Sequence, residues 1–222
     1  MRISILAVAA IAFLPAPALS GTVRGVLRIP QQMQAAAPAA FNPYPGSARA
    51  MPGCHSPARG QLADAVIYLD GLPPGAGPAA EPGAPVPRLS QKSQAFVPRV
   101  VVVARGGAVD FPNMDPIFHN VFSVSPTRRF DLGKYPRGHS RQVTFSREGL
   151  VKVYCDIHSD MEAFVLVLPH HCYARPDASG AFAIAGVPAG RYRVKVWHPD
   201  LPETGCDVVV TETGEATVSL GY

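Results

Sequence analysis

The sequence predicts an all-β protein made of two consecutive β-sandwiches, and three observations lead there. Apolar residues recur at spacing two in short runs, while the spacing of an amphipathic helix is almost absent. Turn formers bound those runs, the 222 residues including 24 Pro and 20 Gly. A composition shift over Pro169–Asp177 then divides the strands into two sets. With 47% apolar and 16% charged residues the chain has the material for a buried core. Its net charge of +4 is scattered, without a run of five or more Lys and Arg, which gives a nucleic-acid-binding patch little support.

The chain opens with Met1 and Arg2, an apolar stretch from Ile3 to Leu14, and small residues Ala18-Leu19-Ser20 before Gly21. That pattern predicts a signal peptide over 1–20, removed on export to the periplasm. The apolar run is broken by Pro15 and Pro17 and is too short to span a bilayer, so no membrane span is expected. Residues 21–61 hold a first strand, Val23–Ile29, and a Pro/Ala-rich loop. Residues 62–168 make the first sandwich, interrupted by a Pro/Gly-rich insertion at 72–90. Its strands are expected at Ala65–Asp70, Pro98–Arg105, Ala108–Phe111, His119–Val124, Gln142–Ser146, Leu150–Asp156 and Ala163–Leu168. Residues 169–222 make the second, with strands at Ala181–Ile184, Arg191–Trp197, Asp207–Glu212 and Ala216–Gly221. In Arg191–Trp197, Tyr192, Val194 and Val196 alternate with Arg191, Arg193 and Lys195, which sends one face inward and the other to solvent. Ala163–Leu168 is apolar on both faces, as expected of a strand covered on two sides where the sandwiches meet.

Chemistry is concentrated in Val151–Met161, where Cys155, His158 and Met161 follow a strand at spacing Cys-x2-His-x2-Met. Alternation puts Val151, Val153 and Cys155 on one face, at the rim of the core. Upstream, His119 supplies a second imidazole. A thiolate, a thioether and two imidazoles suit copper in both oxidation states, and a His2Cys plane with a weak axial Met is the electron-transfer type of copper site. Zinc accepts the same His and Cys ligands, but Met is a poor ligand for structural zinc.

These residues resemble the cupredoxins, the blue copper proteins, and most of all the amicyanin- and plastocyanin-like members linked to methylamine utilisation. The resemblance covers about Ala65–Pro169. Its further motifs are Phe96-x-Pro98, Gly107-x-Val109-x-Phe111-x-Asn113, His119-Asn120-Val121 and Phe145–Gly149. It implies a Greek-key sandwich that holds one copper ion through His119, Cys155 and His158, with Met161 axial. It also implies that Asn120 ties the two ligand segments together by hydrogen bonds, and that the protein passes single electrons between periplasmic redox partners without being an enzyme. The insertion at 72–90 and the charge of Asp160 depart from the family pattern; Asp160 argues against a wholly apolar docking patch around His158. A copper-binding or delivery protein is the alternative, though the mature chain lacks the Met-rich or paired-Cys character of Cu(I) carriers. Downstream, Gly180-x-Phe182-x-Ile184-x-Gly186-Val187-Pro188-x-Gly190-x-Tyr192 resembles a carboxypeptidase-regulatory or transthyretin-like module, implying a small immunoglobulin-like sandwich. Gly21–Leu27 resembles a first strand of that module, which leaves the partner of the N-terminal strand open.

With Cys155 assigned to metal, Cys54, Cys172 and Cys206 remain for an oxidising compartment. Three pairings are open, of which Cys172–Cys206 is preferred because both flank strands of the second sandwich. His170-His171-Cys172 is set aside as a metal site, since adjacent residues on an extended segment point apart. Met114 is read as loop packing, His198 as structural, and Arg128, Arg129, Arg141 and Arg147 as a solvated basic face.

Overall fold

A computed structural model describes residues 20–30, 61–78 and 83–222. The predicted signal segment before Ser20, the loop at 31–60 with Cys54, and the middle of the insertion, 79–82, lie outside the described residues. Within them the protein is all-β, with one short 3-10 turn at Leu62–Asp64.

The first sandwich has one five-stranded layer, in the order β5-β11-β10-β7-β8. These strands are β5 (Val100–Ala104), β7 (His119–Ser125), β8 (Arg128–Tyr135), β10 (Gly149–Tyr154) and β11 (Glu162–Leu168). Opposite lie two pairs, β3 (Ser90–Lys92) with β4 (Ala95–Val97) and β6 (Ala108–Asp110) with β9 (Gln142–Thr144). Bridges from Arg88 to Asp110 and from Gln91 to Asn113 join the pairs. Phe96, Val101, Val109, Phe111, Val121, Phe145, Val151, Val153, Val165 and Cys155 share the core between the layers.

The second sandwich faces a three-stranded sheet, β13-β1-β16, with a four-stranded one, β12-β2-β14-β15. Its strands are β1 (Ser20–Arg28), β2 (Val66–Asp70), β12 (Tyr173–Ala174), β13 (Ala181–Pro188), β14 (Gly190–His198), β15 (Leu201–Val210) and β16 (Glu215–Gly221). Val194, Val196, Ile184, Val23 and Ile67 fill its core, with Tyr192 packed against it, so the alternation along Arg191–Trp197 points the expected way. The N-terminal strand belongs here: β1 pairs with β13 and runs parallel to β16. Gly180 closes the Asp177–Gly180 turn at φ +86°, and any β-carbon there would strike the Leu27 carbonyl.

Two differences from the sequence reading stand out. Ala65–Asp70 was expected with residues 62–168, but β2 pairs with β14 and β12. An apolar strand reads the same beside either sheet; only its long-range hydrogen bonds choose. Cys172 and Cys206 are free thiols. Cys172 borders β2, bonded through its carbonyl to Leu69, whereas Cys206 lies on β15 beyond β14. Strands about 4.8 Å apart put the two roughly 14 Å from each other along the sheet, out of reach of a disulfide.

The strand β11 is covered on both faces, as its composition predicts. Ala163, Val165 and Val167 enter the first core, while Phe164, Leu166 and Leu168 join Val66, Val100 and Val102 in a third cluster against which Tyr68, Tyr173 and Trp197 pack. This cluster welds the five-stranded layer to the outer face of the four-stranded sheet. At its edge, buried Arg99 makes a two-pronged ion pair with Asp200 at 2.6 and 2.9 Å, reaches Asp64 at 3.3 Å and lies over the Phe164 ring at 5.2 Å.

Candidate metal centre

The topology brings the predicted ligands to one end of the first sandwich. β10 ends at Tyr154, one residue before Cys155, and β11 begins at Glu162, one residue after Met161, so the ligand loop is the hairpin connection between two paired strands. Met161 N–H donates to the His158 carbonyl at 3.1 Å and Cys155 N–H to the Met161 carbonyl at 3.3 Å, which closes the loop. β7 runs antiparallel beside β10 in the register Phe122 to Tyr154, bringing His119, its first residue, to the same end.

The donor atoms converge there. The two Nδ1 atoms of His119 and His158 are 3.1 Å apart, and Cys155 Sγ lies 4.0 Å from the first and 3.7 Å from the second. Nitrogen and thiolate ligands at the bond lengths of a single zinc-like ion, spread by about 100–135°, are separated by about 3.1–4.0 Å, so the three donors fit one ion. Met161 is buried beside Cys155 in the first core. His119 is fully buried, Cys155 nearly so, and His158 reaches the surface. Desolvation, helped by repulsion from His119, holds the His158 imidazole below its ordinary pKa, which favours the neutral ring over the imidazolium.

Sequence reasoning missed the groups behind His119. Its Nε2 is 2.8 Å from Asp115 Oδ2, so the imidazole donates there and leaves Nδ1 facing the centre. Asp115 also accepts the N–H groups of Ser93 at 2.6 Å and Gln94 at 2.8 Å. Burial opposes its charge, but the Gln94 and Ser93 donors and then His119 outweigh it and hold the carboxyl below the usual range. The i to i+4 placement of Asp115 and His119 was a signal in the sequence; the turn that completes the set is 22 residues away along the chain. Asn113 supports the same loop, donating to the Ile117 and Tyr135 carbonyls and accepting the Asp115 N–H.

Two expectations need correction. The buried Asn120 side-chain oxygen has no hydrogen-bond partner among the described residues, so it does not make the expected link; the two ligand segments meet instead through β7–β10 pairing and the Phe122–Tyr154 ring contact. Met114 is 51% exposed and does not pack its loop. Ile117, Phe118 and Ile157 are exposed beside it, giving the ligand end an apolar rim with Asp156 and Asp160 at its margin.

Other candidates stay structural. His170 Nε2 donates to the Leu69 carbonyl, 2.6 Å away, and Cys172 is buried with its thiol pushed up to about 11 by desolvation. His198 bonds the Gln61 carbonyl and the Asp200 N–H. Asp64, His198 and Asp200 bring their donor atoms together, but Arg99 already occupies the space between the carboxylates.

No protein-family model matches this chain, and no curated protein does. Among solved structures it is similar to a copper-containing nitrite reductase from Thermus scotoductus, at 23% identity over 42% of this chain and TM-score 0.36. The matched part is 25% of the reductase, so this chain spans about a quarter of that protein's length. It is also similar to a reduced mutant of amicyanin (20% identity) and to an oxidized one (19%), each match covering 46% of this chain and 97% of the other at TM-score 0.36. Among the described residues no helix is long and apolar enough to cross a membrane.

Proposed function

We propose that the protein is an exported one-electron carrier of the cupredoxin type, holding one copper ion through His119, Cys155 and His158 with Met161 as the axial ligand. The observation that carries this reading is the convergence of two Nδ1 atoms and one thiol sulfur within 4.0 Å of one another at the end of a β-sandwich. Copper bound there supplies one-electron redox chemistry. The chain's own part is to hold the donors still. Paired strands anchor both ends of the ligand loop, the loop's backbone bonds fix His158 relative to Met161, and the Asp115 carboxylate fixes the other imidazole. Burial of Cys155 and Met161 in an apolar core shields the sulfur atoms from water and other ligands.

His158 is the surface edge of the centre, and the apolar rim of Met114, Phe118 and Ile157 is where a donor or acceptor protein desolvates on docking. The signal segment directs the chain to the periplasm, where such partners operate. A first, cupredoxin-like unit carries the centre, and a second, transthyretin-like unit includes β1 and β2.

Purified protein loaded with Cu(II) is expected to show an intense thiolate-to-copper band that bleaches reversibly on reduction. Cys155→Ala abolishes the band and Cys172→Ala leaves it intact. A wild type without the band, or one that prefers zinc, overturns the reading, as does equal behaviour of the two variants.

A further inference from the structure

Beyond the four ligands, the groups behind His119 form a built device. The loop between β3 and β4 has two residues, Ser93 and Gln94, both at φ +56°. A two-residue hairpin needs that left-handed backbone at both positions, and Asn-Gly or Gly-Gly is its usual sequence because a β-carbon strains there. Here two residues with β-carbons accept the strain, and their N–H groups both point at one carboxylate, Asp115. That carboxylate is 7% exposed and its remaining contact is the Nε2 of buried His119. Strained backbone, a buried charge and a buried imidazole thus meet at one point, and the ligand's outward nitrogen is where they meet.

We propose that Asp115 is a positioning residue for His119: anchored by the Ser93–Gln94 turn, it holds the imidazole in the tautomer that aims Nδ1 at the centre and favours the more highly charged state of the bound ion. This rests on the copper reading above. A carboxylate behind a ligating imidazole makes the ring a stronger donor and brings negative charge near the metal. Both effects stabilise Cu(II) over Cu(I), so the pair lowers the reduction potential. The two backbone donors moderate it by sharing the charge. Because they come from a hairpin in the opposite layer of the sandwich, the tuning depends on that layer staying docked.

The test compares the full-length wild type with Asp115→Asn and Asp115→Glu. Asp115→Asn keeps the size of the side chain, loses the charge and turns an amide toward donors that need an acceptor. Its Cu(II) affinity should fall about 10–100-fold while Cu(I) affinity changes little. Each tenfold step raises a one-electron potential by about 59 mV. Asp115→Glu should recover at least half of the rise, which a merely structural role would not require. A potential unchanged in Asp115→Asn with the charge-transfer band intact overturns the proposal. The second measurement is the imidazole proton of His119 in long-range 1H–15N spectra of the metal-free wild type. A slowly exchanging proton on Nε2 supports the proposal, and an Nδ1–H tautomer or fast exchange overturns it, even if Asp115→Asn fails to fold. A wild type without the copper band removes the function proposed above, while this proton still decides whether Asp115 holds His119.

Discussion

Replacing Arg99 by Leu removes the guanidinium that pairs with two carboxylates at the junction of the sandwiches. The guanidinium is 5% exposed and Asp64 is 11% exposed as side chains, so neither Asp64 nor Asp200 gains water when Arg99 leaves. Deleting one member of such a buried pair costs about 3–5 kcal/mol, because the charge left behind stays desolvated. Typical domains are stable by only about 5–15 kcal/mol, so this is a large fraction. At about 2 kcal/mol per molar urea the unfolding midpoint should fall by roughly 1.5–2.5 M at pH 7. Burial already lifts the Asp64 carboxyl above its ordinary range against the pull of Arg99. In Arg99→Leu it rises further, the native state then binds more protons than the unfolded chain, and stability is regained as pH falls toward that pKa. The penalty should therefore shrink in acid, and Asp64→Asn with Asp200→Asn in the same chain should recover most of it at pH 7. A midpoint shift under about 0.3 M, or a triple variant no more stable than Arg99→Leu, would refute this account of the junction. The copper band should be unaffected, since Arg99 lies outside the ligand end.

Two further outcomes can be checked on the same protein. Desolvation holds His170 below the usual 6.5, so as pH falls through that value the unfolded chain takes up a proton that the native state refuses, and stability drops. His170→Gln should reduce the slope, by no more than one proton or about 1.4 kcal/mol per pH unit, in urea titrations below pH 6.5; an unchanged slope excludes His170 as its source. For the thiols, non-reducing peptide mapping should find Cys172 and Cys206 unpaired. Iodoacetamide should label half-buried Cys206 and spare native Cys172, whose thiol is buried and pushed up to about 11; a Cys172–Cys206 peptide would contradict the strand order.

What the sequence by itself determined is local. Period-two apolar runs located most strands, and the Cys-x2-His-x2-Met spacing placed three donors on one short connection, because both depend only on neighbouring residues. The strand β8 escaped because this edge strand carries charges at either phase, Arg128 and Lys134 at one and Arg129 and Asp131 at the other, and β3, β4 and β12 because two or three residues make no period. Tertiary structure decided which sheet β1 and β2 join, since an amphipathic strand fits either until its hydrogen bonds are made. It also decided the company of each buried polar group. Asp115 is read as loop until the Ser93–Gln94 turn arrives from the facing layer, and Arg99 as surface until two sheets close over it. A buried charge is tolerable only with partners in place, and those partners lie far along the chain, where pattern along the sequence carries no information about them.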